Sequence, residues 1–252
     1  MCALLGEFPD APRAPEAAYY RLRALDVART SDAALTASYE EALTGYLARY
    51  PQADRAGEVR YLLAELHRGR GDCARAGAEY AAVTSGPFAV RARLGALECQ
   101  VAALGTDTSP AGQARRRDTA AALGTFVHDT PAKGDDQPRV ARAALLGALV
   151  AAGATPPDYD TVVTLLDGFE AHYPDARELH ARALQLRLNA RIARGAWAAA
   201  EPDLNALLAG GGGDAERRRV LGRIGHDLAA QAERDGSPQA TGALALACKV
   251  YG

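Results

Sequence analysis

The chain is poor in what builds sheets, cross-links and membrane spans. Of its 252 residues one is Met, one Trp and four Phe, and aromatics make up 6%. Val and Ile are scarce beside a very large number of alanines, and Lys occurs only at 133 and 249, every other basic residue being Arg. Scarce β-branched residues argue against a β-rich fold, and abundant Ala and Leu favour helix. The bias to Arg over Lys fits a GC-rich bacterial genome better than a function. Neither sign of charge is in excess: 29 Lys and Arg face 31 Asp and Glu, a net charge of −2. That balance argues against a dedicated nucleic-acid binder. No apolar run approaches the roughly 20 residues that span a bilayer, so no membrane insertion is expected. The start, Met1-Cys2-Ala3-Leu4-Leu5-Gly6-Glu7, is too short and too acidic to read as a signal peptide. Cys2, Cys73, Cys99 and Cys248 share no CxxC spacing, and a chain this long needs no disulfide staple, so free or buried thiols are expected.

What is present is periodic. Prolines follow an aromatic or turn residue at Phe8-Pro9-Asp10-Ala11, Tyr50-Pro51-Gln52-Ala53, Gly86-Pro87, Thr130-Pro131-Ala132 and Tyr173-Pro174-Asp175-Ala176, successively 42, 36, 44 and 43 residues apart. Three of the five share an aromatic-Pro-x-Ala signature, and eleven residues beyond the aromatic stands Tyr19, Tyr61 or Leu184. Such a period marks a repeat architecture.

Between these points the chain reads as helix, turn, helix. Ala53 to Arg68 carries Val59, Leu62, Leu63 and Leu66 on one helical face, Gly71-Asp72 breaks it, and Asp72 is placed to cap the next helix. The same reading pairs 13–29 with 32–49, 88–104 with 110–128, 138–152 with 157–172, 175–194 with 196–208, and 214–234 with 238–250. Ser109-Pro110 and Ser237-Pro238 read as N-cap plus first-turn proline, and Pro138 and Pro156 as helix starts. On 177–194, Leu179, Ala183, Leu186, Ala190 and Ala193 form one apolar face, and Leu184, Leu188 and Ile192 form nearly the opposite one. A helix apolar on two sides must be sandwiched between neighbours, as in stacked repeats.

The turns resemble a known family. Gly71-Asp72-Cys73 followed by Ala76, Tyr80 and Val83, and Gly195-Ala196-Trp197 followed by Ala200, Leu204 and Leu207, are similar to the tetratricopeptide pattern of a turn, a small residue, an aromatic and another small residue. The resemblance covers most of the chain and is degenerate between 88 and 152, where Gly105 and Gly153 keep the turn but not the residues after it. The Tyr-Pro-x-Ala ends and longer period resemble, more narrowly, tetratricopeptide proteins of the Gram-negative envelope, of the outer-membrane assembly lipoprotein and Tol-associated coordinator type; no apolar signal precedes Cys2 to match the lipoprotein's modified cysteine. The fold implied is all-α: a right-handed α-solenoid of stacked antiparallel helix pairs. It would form a single helical repeat domain over 1–252, with five to six pairs, beginning and ending inside repeats.

Chemistry-bearing motifs yield to blander readings. His67, His128, His172, His180 and His226 form no HExxH; His172 and His180 flank Tyr173-Pro174 and could meet there with Asp175 or Glu178, but solvated helix-end histidines are the simpler expectation. Gly210-Gly211-Gly212-Gly213 lacks the Lys and Ser or Thr of a phosphate loop and reads as a linker. Arg115-Arg116-Arg117 and Arg217-Arg218-Arg219 splay around a helix rather than forming one patch. No GxSxG occurs. Trp197 and Tyr80 are expected in the core. No catalytic, cofactor or metal site is assigned, and the chain is expected not to be an enzyme.

The expected function is a scaffold that binds a protein or peptide segment on the concave face, which the resemblance lines with the first helix of each pair. On 53–68 the side away from Val59 and Leu63 presents Tyr61, Glu65 and Arg68; on 177–194 the comparable region offers Arg182, Gln185 and Asn189. An aromatic beside mixed charge suits a peptide with polar and apolar contacts. Tyr61, Glu65 and Arg68 are expected to be exposed enough to change together at little cost in stability. The narrower resemblance implies envelope assembly and a periplasmic location, with a cytoplasmic one otherwise. The alternative is a regulatory or sensor module of a larger signalling or transcription protein.

Overall fold

A computed structural model describes residues 13–209, together with Gly222, Gly225, His226, Gly242, Ala245, Leu246 and Cys248. Regular structure among the described residues is helical, with no strand. In order the elements are α1 Ala14–Ser31, α2 Leu35–Arg49, α3 Ala56–Gly69, α4 Cys73–Ala81, α5 Ala89–Leu104, α6 Pro110–Asp129, a 3₁₀ turn Gly134–Asp136, α7 Gln137–Ala152, α8 Tyr159–Leu166, α9 Phe169–His172, α10 Arg177–Ala193 and α11 Trp197–Ala209. Apart from those seven residues, the pair expected over 214–234 and 238–250 lies outside the described residues, as do the Gly210–Gly213 run, Arg217 to Arg219, Ser237-Pro238 and Cys2.

Helix starts follow local chemistry. The Asp72 carboxylate accepts the Arg75 N–H at the head of α4, and the Ser109 hydroxyl accepts the Gly112 N–H ahead of Pro110 in α6. Each such cap is worth about 1 kcal/mol. Pro156 does not begin α8, contrary to expectation: Asp158 does, accepting the Thr161 N–H, which holds the Asp158 carboxyl below its ordinary pKa. The helix expected over 157–172 is likewise two pieces. Asp167 is extended and Gly168 takes the left-handed conformation at φ 62°, which a side chain would disfavour, so α8 stops and the single turn α9 starts in a new direction. Gly71 and Gly195 have φ of 79° and 67° at the two turns of the repeat pattern, whereas Gly153 turns the chain at φ −83°.

The chain divides into two compact units, Met1–Gly105 and Thr106–Gly252. In the first, each helix packs on its chain neighbours and α3 also on α5. Three-residue connections such as 32–34 make those neighbours antiparallel. Helix α3 serves two cores. Val59 and Leu63 join Tyr19, Leu22, Tyr39, Leu43 and Tyr46, while Ala64 joins Ala76, Tyr80, Val83, Ala92 and Cys99, with Tyr61 packed against that second cluster. Tyr80 is 1% exposed and presses against Gly95, where an added Cβ would sit 2.5 Å from the ring.

The second unit is organised by α7, nine of whose sixteen residues are buried, so that it is covered by α6, α8 and α10. Its Gly147 leaves room for Leu165, whose Cδ1 lies 2.9 Å from where a Cβ would stand. Helix α10 packs on α7, α8 and α11, burying Ala183, Leu184, Leu188, Ala190 and Ile192. The two-sided pattern holds apart from Ala193, which is exposed. Ala200 and Leu204 of α11 are fully buried. Trp197 is half-buried with Gly242 against its indole.

Candidate interaction faces

The residues singled out on α3 are brought together, but as a seam rather than a free face. The Tyr61 ring lies 5.2 Å from Phe88 and 6.1 Å from Tyr80, and the Arg91 guanidinium stands 5.6 Å over Phe88. The Tyr80 hydroxyl donates to one Glu65 carboxylate oxygen. Arg68 donates to the other Glu65 oxygen at 2.7 Å and, across to α5, to Glu98 at 2.7 Å. Tyr61, Glu65 and Arg68 are all half-buried. Expectation and structure part here, for a side chain i to i+4 from the packed stripe of α3 meets α5, not water. The electrostatics follow: burial first, then Glu65, pushes the Tyr61 and Tyr80 phenols up. Burial works against the Arg68 charge, but Glu65 and Glu98 outweigh it and hold the guanidinium more firmly protonated.

The residues on α10 do form an open ridge. Arg182 and Asn189 are exposed and Gln185 is half-buried, with an Arg182 N–H reaching the Gln185 carbonyl oxygen at 3.4 Å. Spacings of three and four place them along one side of the helix, away from Leu184 and Leu188.

Sequence reasoning missed the largest polar assembly. Arg187, 6% exposed, donates to both oxygens of Asp203 on α11 at 2.8 to 3.2 Å, to Glu170 on α9 at 3.0 and 3.2 Å, and to the Leu166 carbonyl that ends α8. Arg191 adds Asp203 at 2.7 Å, Asp167 at 2.7 Å and the Ala199 carbonyl at 3.0 Å. The guanidinium of Arg187 thus bridges the break at Gly168 to α11, and its partners raise its pKa against the opposing effect of burial. The only hint in the sequence is an Arg between Leu186 and Leu188 on a helix apolar on both sides.

The histidines divide. His67 is buried, 3.9 Å from Glu40, where α2 packs on α3. His180 Nε2 lies 2.8 Å from the Tyr173 carbonyl oxygen, the exposed His172 ring packs by Gly168 and Tyr173, and no group of three metal-ligating side chains occurs among the described residues. Arg115 pairs with Asp107 at its own helix start while Arg116 is half-buried, so that the triplet is not one patch. The hollows of the first unit include a groove of about 420 Å³ between α1 and α2 lined by Arg21, Glu41, Gly45 and Arg49, and one of about 300 Å³ between loops 51–55 and 82–88. No described helix is long and apolar enough to cross a membrane. No family model matches the chain, and a search of curated proteins finds no relative.

Proposed function

We propose that the chain is a non-enzymatic scaffold of the tetratricopeptide type, a right-handed solenoid of antiparallel helix pairs that holds a peptide or protein segment against its first helices. Support comes from packing: besides chain neighbours and the contact of α8 with α10 across the short α9, α3 packs on α5 and α7 on α10, the first helix of one pair on the first helix of the next. Among these four helices α10 keeps an open side for a partner, the one that carries the exposed Arg182 and Asn189. The observation carrying the reading is the α10 ridge, where Arg182, Gln185 and Asn189 offer polar side chains beside a helix whose other sides are already packed. Amide and guanidinium groups in a row suit the backbone carbonyls and carboxylates of an extended peptide. The α3–α5 seam would add the edges of Tyr61 and Phe88.

The test begins with the purified chain as bait in its own organism's extract, followed by synthetic peptides tiled over the retained protein and titrated by fluorescence anisotropy. A peptide that binds the chain and loses at least about tenfold in affinity with R182A/Q185A/N189A supports the proposal. Equal affinity for that variant and for a Tyr61→Ala variant sinks it. Envelope assembly as the setting requires that the retained protein itself be an envelope protein.

A further inference from the structure

Cys73 and Cys99 stand 26 residues apart in the sequence and meet in the fold. Cys73 is the first residue of α4, half-exposed; Cys99 is on α5, 4% exposed, in the apolar cluster of Ala64, Ala76, Tyr80, Val83 and Ala92, against which Cys73 packs. Both are free thiols, one inside this cluster and the other packed against it. Their roles differ by exposure. Solvent and small solutes reach Cys73, whereas Cys99 is shielded by the cluster and has Cys73 as its polar neighbour.

We propose that Cys73 and Cys99 are a modification site, a thiol pair that a hydroperoxide converts into a reversible disulfide joining the start of α4 to α5. The Cys73 sulfur attacks the distal peroxide oxygen; the O–O bond breaks, the alcohol (water, for hydrogen peroxide) leaves with the bonding pair and the thiol proton, and Cys73 becomes a sulfenic acid. The Cys99 sulfur then attacks the Cys73 sulfur, the S–S bond forms, and the sulfenic oxygen departs as water with the Cys99 proton. Two thiols have lost two electrons and one peroxide has gained them. A thiolate and not a thiol attacks in each step. Burial, and then the neighbouring Cys73, pushes the Cys99 thiol up to about 12, while the Arg68 charge acts in the opposite direction. Cys99 is therefore the slower, resolving partner and Cys73 the one that meets the oxidant. The bond would tether α4 to α5 beside Glu98, whose partner is Arg68.

The experiment uses the whole chain with Cys2→Ser and Cys248→Ser, so that only this pair remains. After treatment with hydrogen peroxide, remaining thiols are alkylated under denaturing conditions and the protein is digested with trypsin. The expected product is Gly71–Arg75 cross-linked to Leu94–Arg115, lighter than its parts by two hydrogen atoms and released by dithiothreitol. In a Cys99→Ala variant, Cys73 should be trapped as its sulfenic acid by a cyclic 1,3-dione. Oxidation of Cys73 to sulfinic acid with Cys99 still alkylated would overturn the proposal, and so would a pair left unmodified by peroxide in excess. The cross-link is measured on the parent protein, so it stands or falls whether or not the Cys99→Ala variant folds, and without any partner.

Discussion

Each unit holds a guanidinium between carboxylates, and the two networks differ chiefly in water. In the first unit the Arg68 side chain is 36% exposed, with Glu65 at 31% and Glu98 at 15%. In the second, the Arg187 side chain is 7% exposed and that of Asp203 5%. The same ion pair has different consequences in the two places. A half-exposed pair gains little, because water screens it and takes back either partner when the other is removed. A buried pair gains little over an apolar substitute, yet breaking it on one side leaves a charge with neither water nor counter-ion. The α3–α5 ion pairs can therefore rearrange at small cost, while the knot at Arg187 ties α8, α9, α10 and α11 together beneath the α10 ridge.

The largest effect should come from cutting that knot. Arg187→Met removes the group that Asp203, Glu170 and the Leu166 carbonyl share and should cost about 3 to 5 kcal/mol, with Arg191 still paired to Asp203 and keeping the loss toward the lower figure. The double variant R187M/D203L should recover part of it, since an apolar pair replaces a buried ionic one. Urea unfolding followed by the fluorescence of Trp197, the sole tryptophan and the first residue of α11, reads both. Losses below about 1 kcal/mol for Arg187→Met would mean that water reaches the knot and that the two networks are alike.

Next comes the packing under the seam. Gly95→Ala drives a methyl to 2.5 Å from the Tyr80 ring, and overpacking of this kind costs about 1 to 3 kcal/mol. Circular dichroism in urea would measure it, and no change would mean that Tyr80 has room to move. Tyr80→Phe keeps the ring and deletes only the donor to Glu65, which retains Arg68. About 1 kcal/mol is expected, less than the effect at Arg187, and a larger loss would show the seam to be drier than its exposures imply.

Much of the local structure was legible in the sequence, because helices and caps are written over spans of four to twenty residues. The Gly71-Asp72 turn, the Ser109-Pro110 start and the double-sided α10 follow from spacing, and Tyr80 is buried as expected. What was not legible depends on residues far apart. Arg187 meets Asp203 16 positions on and Glu170 17 positions back, Cys73 meets Cys99 with no motif between them, and Tyr61, Glu65 and Arg68 turn out half-buried because α5 lies where solvent was expected. The break at Gly168 was hidden for another reason: a lone glycine in an apolar helical pattern is tolerated as often as it ends a helix.

The smallest stability effect should come with the most specific functional one, at the ridge. Arg182 and Asn189 are exposed and Arg182 has only a long contact to Gln185, so R182A/Q185A/N189A should unfold within about 0.5 kcal/mol of wild type per substitution. Y61A/E65A/R68A should fare worse, since it empties the space between Tyr80 and Phe88 and leaves Glu98 without Arg68. Thermal unfolding of the two triple variants side by side, with anisotropy of the same peptide, separates binding from folding. If the ridge variant is as stable as wild type and has lost the peptide, the ridge contacts the partner directly. If it binds normally while the seam variant loses peptide in proportion to its lost stability, neither group is the contact, and the partner must rest on a surface that neither α3 nor α10 presents.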